Sequence, residues 1–308
     1  MVSVSVASVT IAYNAKALVA RQIEALLRQT ATLQEIIVVD NASGDGTADF
    51  IAASYPCVTV IRLPTNEGVA GGCAAGLQHA VYERNHDWVW TLDQDSEPDP
   101  DTLSQLLTAW EETKSRGKVG LIAPVSFDAA TGTPFRPLVW QDKPVIMPST
   151  ALEPPLCYAD MVISSGSMIS NAAVRTAGLP RKDFFMDFVD YEYCLRLRRI
   201  GFQIVVATHC LMPHTIGSPR TVRWRGKQKL WITHPPWREY YKVRNRAFVL
   251  WHEMPGWKTK FYVLAQFLKQ VAGVLLFDPQ KVQRLKLMAL GLWHGIRGRL
   301  EIRVSPYS

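Results

Sequence analysis

Over the first 125 residues short β-branched runs alternate with segments whose apolar positions recur at helical spacing. Residues 6–13, 35–40, 58–62, 88–92 and 119–123 read as strands, and 15–29, 68–84 and 99–113 as helices. Strands separated by helices of this length predict right-handed βαβ units around a mostly parallel sheet, with any chemistry just beyond the carboxyl ends of the strands. From Pro124 to Pro155 the chain is rich in Pro, Thr and Gly, which reads as an excursion or hairpin. A short strand at 161–163, a Ser/Gly turn at 164–167, a helix from about 189 to 200 and a strand at 202–207 follow. Three helical segments, 237–252, 257–277 and 279–298, complete the chain. The predicted class is α/β, with helices flanking a Rossmann-like, mostly parallel sheet and a helical extension at the C-terminal end.

Charge divides the chain more sharply than its formal +7 suggests. Residues 1–195 hold 13 basic and 23 acidic side chains, and residues 196–308 hold 21 and 4. The 308 residues, 48% of them apolar, exclude a disordered or fibrous protein. Five cysteines without C-x-x-C spacing sit in or beside apolar runs, as expected of reduced thiols packed as small hydrophobes in a reducing compartment. The N-terminal residues lack the basic region, apolar core and small-residue cleavage site of a signal peptide, and are expected to run directly into the first strand. No membrane-spanning segment is expected, because the most apolar stretch, 261–277, is broken by Gln266, Lys269 and Gln270. A helix lying on a membrane surface stays open.

Several motifs fall at predicted strand ends. Asp40 ends the second strand and leads into the small, turn-forming run to Thr47. A carboxylate there can accept from a base N–H or ribose hydroxyls, or can simply cap the next helix. The fourth strand delivers Asp93, Gln94 and Asp95, and strand alternation sends the two carboxylates to one side, where they can share a divalent ion bridging a diphosphate. Asp99 and Asp101 repeat the spelling but open a helix, where acids are expected. The glycine run at Gly68, Gly71, Gly72 and Gly76 is not a dinucleotide fingerprint; its small residues suit close packing of a helix on the sheet and on a nucleotide sugar. Among Asp183, Asp187, Asp190 and Glu192, one can be a general base near aromatic residues, or all can be acids gathered at a helix start. His214 can complete an octahedral site or be a packed histidine. The basic and aromatic run 220–229, with Tyr240 to Arg246, fits phosphate, nucleic acid or a solvated basic face.

Taken in order, the runs Thr10–Asn14, Val38–Thr47, Asn66–Gly76 and Thr91–Ser96, then Ser165 and Gly166, Phe188–Arg196, His214 with Gly217, and Tyr240–Asn245 resemble a family 2 glycosyltransferase. Within that family the likeness is greatest to bacterial rhamnosyltransferases of cell-surface polysaccharide synthesis, through the Leu-Asp-Gln-Asp-Ser and Val-Asp-x-Glu-x-Cys-Leu-Arg runs. The resemblance implies a GT-A fold over residues 1–235, with a nucleotide-binding part at 1–125 and an acceptor-side part at 156–235, followed by the basic helical extension 236–308. It implies Mn²⁺ or Mg²⁺ and inversion at the anomeric carbon. Thr10, Tyr13, Asn14, Asp40, Asn41, Asn66, Gly68, Gly72, Asp93 and Gln94 would face the nucleotide or donor, and Asp95 and His214 the metal. Asp190 would be the catalytic base, with Asp187 three residues away as its rival. Ser165, Gly166, Asp187, Glu192, Tyr241, Arg244 and Asn245 would serve the acceptor or diphosphate. Two positions depart from the family pattern: Cys73 stands where Asn is common, and Val189 where an acid precedes the base.

The partners so implied are a nucleotide sugar, dTDP-L-rhamnose first among them, and a saccharide or lipid-diphosphate-linked acceptor. The basic helices, with Trp231, Trp237, Trp251, Trp257 and Trp293, would meet an anionic membrane surface, which puts the enzyme in the cytoplasm at the inner face of the cell membrane. No nucleic acid partner is expected. Two other classes are weighed against this reading: a nucleotide-sugar nucleotidyltransferase on the same sheet, which would release diphosphate, and a nucleic-acid-binding protein using the basic half, which would not need Asp93 and Asp95.

Overall fold

A computed structural model of the protein describes residues 4–128, 131–214, 218–224, 226–254 and 256–304. The predicted alternation is present: β1 (Val6–Ala12), α1 (Lys16–Leu27), β2 (Glu35–Asp40), α2 (Thr47–Ser54), β3 (Val58–Arg62), α3 (Gly68–Leu77), β4 (Trp88–Asp93), α4 (Thr102–Thr113) and β5 (Val119–Asp128). A hairpin, β6 (Leu138–Trp140) and β7 (Pro144–Ile146), fills the Pro-rich excursion. Then come β8 (Leu156–Ala159), β9 (Met168–Ser170), α5 (Asn171–Ala177), α6 (Val189–Arg199) and β10 (Gln203–His214). The remainder is a second hairpin, β11 (Ser218–Trp224) and β12 (Lys227–Thr233), and three helices, α7 (Pro236–Phe248), α8 (Trp257–Phe277) and α9 (Lys281–Arg297).

Eight strands form one sheet in the order β3-β2-β1-β4-β9-β5-β10-β8. Strands β1 to β4 are mutually parallel, and β10 is parallel to β5. Between β4 and β5 lies β9, antiparallel to both, so β4 and β5 point the same way and the parallel strands all end at one edge. The sheet is mostly parallel, as expected, and its central strands are largely apolar, as befits strands buried on both faces. Val6, Val9, Ile37, Val38, Trp90 and Leu92 are buried.

Two strand expectations are corrected. Residues 161–163 form no strand, and Met161 makes only an isolated bridge to Leu138; the pairing falls instead to the three residues of β9. The last sheet strand does not stop at Ala207. An irregularity between Ala207 and Leu211 interrupts its pairing with β5, which then resumes from Leu211 against Val125 to His214 against Asp128. Such a bulge lets a strand continue past polar residues that break its apolar run, here Thr208 and His209.

Packing divides the chain into two units, Met1–Val139 with Val145–Lys182 and Asp190–Thr215, and Trp140–Pro144 with Asp183–Val189 and Ile216–Ser308. The first holds the sheet. Helix α3 lies close on it: a Cβ at Gly76 would stand 2.2 Å from Val9 Cγ1, and one at Gly72 2.6 Å from Ile11 Cγ2. In the second unit α9 approaches α7 through Gly291 and Gly295, whose absent side chains would meet the backbone oxygens of Tyr240 and Arg244 at 2.5 and 2.4 Å. The basic run 220–229 forms most of the β11–β12 hairpin; Gly217, Arg225 and several side chains of that run lie outside the described residues.

Candidate active site

The edge where the parallel strands end collects the predicted residues of the first unit. Beyond β1, Asn14 takes a left-handed conformation (φ 47°), its carboxamide oxygen accepting from Gly44 N–H at 2.8 Å and its N–H donating to Ser43 Oγ at 2.9 Å. The Gln94 side chain accepts from Tyr13 N–H at 2.8 Å. The turns after β1, β2 and β4 are thereby laced together. Asn41 donates to the Gly68 carbonyl (3.0 Å) and accepts from Glu67 N–H (2.8 Å), while Asn66 accepts from Gly68 N–H (2.8 Å), which shapes the entry to α3. Thr10 is buried within the sheet.

Asp40, 4% exposed, ends β2. Its Oδ2 accepts from Ser43 N–H at 3.2 Å, and its buried Oδ1 has no hydrogen-bond partner among the described residues. The residue before α2 is Gly46, so Asp40 does not cap that helix. A buried, unpartnered carboxylate oxygen is costly unless a ligand donor completes it.

Asp93, Asp95 and His214 converge. Each offers one ligand atom, and the three atoms lie within 4.8 Å of one another. His214 Nδ1 is 3.9 Å from Asp93 Oδ2, and its ring meets Phe135 edge-on. Two carboxylates and an imidazole suit Mn²⁺ or Mg²⁺, which keep open positions for water and phosphate oxygens. Asp93, expected on the donor sugar, thus also lies among the residues that could hold a metal. Its backbone is held in place: Asp93 N–H donates to Ser165 Oγ at 3.4 Å, and Gln22 of α1 donates to the Asp93 carbonyl. Gly166 (φ 81°) donates to the Thr91 carbonyl and accepts from the Trp90 indole, both at 2.8 Å. Ser165 and Gly166 are therefore supports of the β4 terminus. Burial, with Asp93 adding to it, pushes the Cys73 thiol up to about 12, which leaves it an inert packing group.

On α6, Asp190 is half-buried in the first turn, and its Oδ1 accepts from Tyr191 N–H at 2.9 Å. Glu192 is 2% exposed and paired to Arg196 at 2.8 Å, whose guanidinium also donates to the Ala177 and Leu179 carbonyls. That makes Glu192 a tie between α6 and the end of α5, not a contact for an acceptor.

In the second unit Asp187 accepts from Arg238 through both oxygens, at 2.9 and 3.0 Å. Phe185, Asp187 and Phe188 all have positive φ (63°, 58° and 66°), a conformation that costs energy in a non-glycine residue. Asn245 holds this segment by donating to the carbonyls of Phe184, Met186 and Asp187 at 3.0, 2.7 and 2.8 Å. Arg244 donates to the carbonyls of Asp183, Phe184, Leu300 and Ile302. Tyr241 bonds the Val304 carbonyl at 3.0 Å. All three side chains are fully buried with their donors engaged. The expectation that Tyr241, Arg244 and Asn245 contact a diphosphate is corrected: they are the framework of the loop 183–188.

Sequence reasoning missed Gln22, Arg196 and Arg238. Gln22 was detectable as a polar residue at a core position of α1, between buried Val19, Ile23 and Leu26. Arg196 was detectable too, four residues after Glu192 on one face of α6, whereas Arg238 finds Asp187 at a distance of 51 residues, which carries no signal.

A mostly parallel sheet with a buried carboxylate ending β2, and an Asp-x-Asp pair and histidine within ligand reach of each other at the same edge, is a fold of the GT-A type. Residues 8–141 match the family described as Glycosyl transferase family 2. It is similar to the dTDP-rhamnosyl transferase RfbF of Shigella flexneri, 25% identical over 266 residues, covering 85% of this chain and 86% of that protein. Among solved structures it is similar in fold to S. aureus TarS 1-349 in complex with UDP-GlcNAc (TM-score 0.60, 14% identity, 96% and 82% of the two chains covered). A second neighbour in fold is GalNAc-T7 with UDP, GalNAc and Mn²⁺ (TM-score 0.59, 14% identity, 96% and 56% covered).

Proposed function

We propose that this protein is an inverting, divalent-metal-dependent glycosyltransferase that moves L-rhamnose from dTDP-L-rhamnose to a saccharide or lipid-linked saccharide of the cell surface, working in the cytoplasm at the inner face of the membrane. The observation that carries the reading is the convergence of Asp93, Asp95 and His214 at the sheet edge that also holds the unpartnered Asp40 oxygen. Asp40 Oδ1 would accept the imide N–H of a thymine or uracil base. Asp93, Asp95 and His214 would hold Mn²⁺ or Mg²⁺. When bound, such an ion neutralises charge on the departing diphosphate.

Asp190 would take the proton of the acceptor hydroxyl as its oxygen bonds to the anomeric carbon from the face opposite the diphosphate. The bond from that carbon to the diphosphate breaks, dTDP leaves with the electron pair, and a β-linked donor gives an α-L-rhamnoside. Asp187 is the weaker candidate for the base because Arg238 occupies both its oxygens. The donor choice is supported by the similar protein named a dTDP-rhamnosyl transferase, and the metal by the fold neighbour whose structure contains Mn²⁺.

The test is a binding titration with dTDP-rhamnose, UDP-glucose, UDP-galactose and GDP-mannose, each with Mn²⁺ or Mg²⁺ and again with excess chelator. Preference for dTDP-rhamnose that disappears on chelation is expected. Preference for another donor would overturn the sugar assignment, and equal binding under chelation would overturn the metal.

A further inference from the structure

Helix α8 is apolar on two faces, and its own unit covers only one. Thr259, Val263, Gly273 and Val274 are buried. The other face carries Trp257 (75% exposed), Phe261 (66%), Leu264 (50%), Leu268 (57%) and Leu275 (48%). The spacings of four, three, four and seven residues place these five side chains within about 40° of one line along the helix, at about 100° per residue. A helix that is apolar on both faces is either buried or meets lipid. By length and composition α8 could cross a membrane.

Charge identifies what covers the stripe. Between residues 257 and 300 the chain has eight Lys and Arg and one acid, Asp278, which is buried and accepts from the Trp231 indole at 3.1 Å. Lys258, Lys260 and Lys269 are exposed on α8 along the flanks of the stripe. On α9 exposed Lys281, Lys286 and Arg297 accompany exposed Val282, Leu290 and Trp293. Arg297 stacks over the Trp293 ring at 4.4 Å. Lys258 is paired with exposed Asp142 at 2.7 Å, while Lys260 and Lys269 have no carboxylate partner among the described residues, and an apolar stripe whose flanks carry this excess of cations complements an anionic phospholipid surface.

The buried face decides between lying on the bilayer and crossing it. At the middle of α8, Gln270 donates to Glu239 and accepts from Arg246 at 2.9 Å, and Glu239 is also paired with Lys242 and Arg284. A crossing helix would carry this charged cluster into hydrocarbon, where ionised groups are strongly disfavoured.

Taking up the membrane location included in the reading above, we propose that α8 lies in the plane of a bilayer containing anionic phospholipid. Trp257, Phe261, Leu264 and Leu268 would enter the headgroup region, and Lys260 and Lys269 would face lipid phosphates. This surface lies wholly in the second unit and is tested by lipid binding without sugar transfer, so it can fail while the assigned reaction stands, and the reverse.

The full chain would be floated with phosphatidylcholine vesicles, with and without about one third phosphatidylglycerol, at low and high salt. Binding to the anionic vesicles, weakened by salt, is expected. L264Q/L268Q, which changes exposed residues only, should lower that binding at least tenfold with an unchanged circular dichroism spectrum and melting temperature, and K260Q/K269Q should lower it on anionic vesicles alone. Three results would overturn the proposal: no vesicle binding by the unaltered chain; binding that L264Q/L268Q leaves intact; or membrane-expressed protein that alkaline carbonate fails to release, which would mean a crossing helix. Self-association abolished by L264Q/L268Q, with no lipid binding, would assign the stripe to a second copy instead.

Discussion

Replacing Glu35 by Gln removes a carboxylate at which three segments of the first unit meet. Glu35 opens β2 with its side chain 9% exposed, and accepts from Thr59 Oγ1 at 2.7 Å, His86 Nε2 at 2.9 Å and His79 Nε2 at 3.2 Å. Burial alone would raise its pKa, but the hydrogen bonds from Thr59, His86 and His79 together outweigh burial and lower it from 4.5 to about 2. At about 1.4 kcal/mol per pKa unit, the carboxylate is worth roughly 3 kcal/mol at neutral pH. Because the folded-state value is depressed, this contribution is complete above about pH 4.5 and is lost as pH falls toward 2. The assay is urea unfolding followed by circular dichroism at pH 7, 5, 4 and 3. E35Q should be less stable by roughly 3 kcal/mol at pH 7, about 6–12 °C in melting temperature for a unit of this size, with the gap closing by at most about 1.4 kcal/mol per pH unit below 4.5. Equal stabilities at pH 7, or a gap that stays constant down to pH 3, would refute the reasoning.

Gly295→Val should push α9 off α7, because its side chain would meet the Arg244 carbonyl; a loss of roughly 1–3 kcal/mol is expected, and an unchanged urea midpoint would argue against the close approach. Asn245→Ala leaves the carbonyls of residues 184, 186 and 187 without their donor, so roughly 1–3 kcal/mol should be lost and proteolysis within 183–188 accelerated; equal cleavage rates would count against that role. Manganese should raise the melting temperature of the unaltered protein but not of Asp95→Asn or His214→Ala, and a shift surviving in either would remove that residue from the metal set. Asp190→Asn should lower turnover by about 10²–10⁴ while donor affinity stays within a few fold, since the base acts on the acceptor. Retained turnover would pass the role elsewhere.

The site was legible where chemistry follows the local chain. Asp40 and Asp93 could be placed because a carboxylate closing a β-branched run lies at the carboxyl edge of a parallel sheet, whatever the rest of the chain does. The same local logic failed for Tyr241, Arg244 and Asn245. Their polar groups looked available for a phosphate, yet they are spent on the carbonyls of residues about 60 positions away. Glu35 read as the polar start of a strand and nothing more, since Thr59, His79 and His86 meet it only after β3 and the segment beyond α3 are packed.

By itself the sequence determined the order of strands and helices, the parallel βαβ half, the strand-end acids and the basic helical end, because each depends on residues within a few turns or one strand. Tertiary structure alone decided that β9 inserts antiparallel between β4 and β5, and that a bulge carries β10 on to His214. It also decided that this histidine meets Asp93 and Asp95 across more than a hundred residues, and that one apolar face of α8 is left uncovered. Those outcomes depend on which distant surfaces pack and which polar groups find partners, and a backbone donor or apolar stripe carries no mark in the sequence of the partner that will satisfy it.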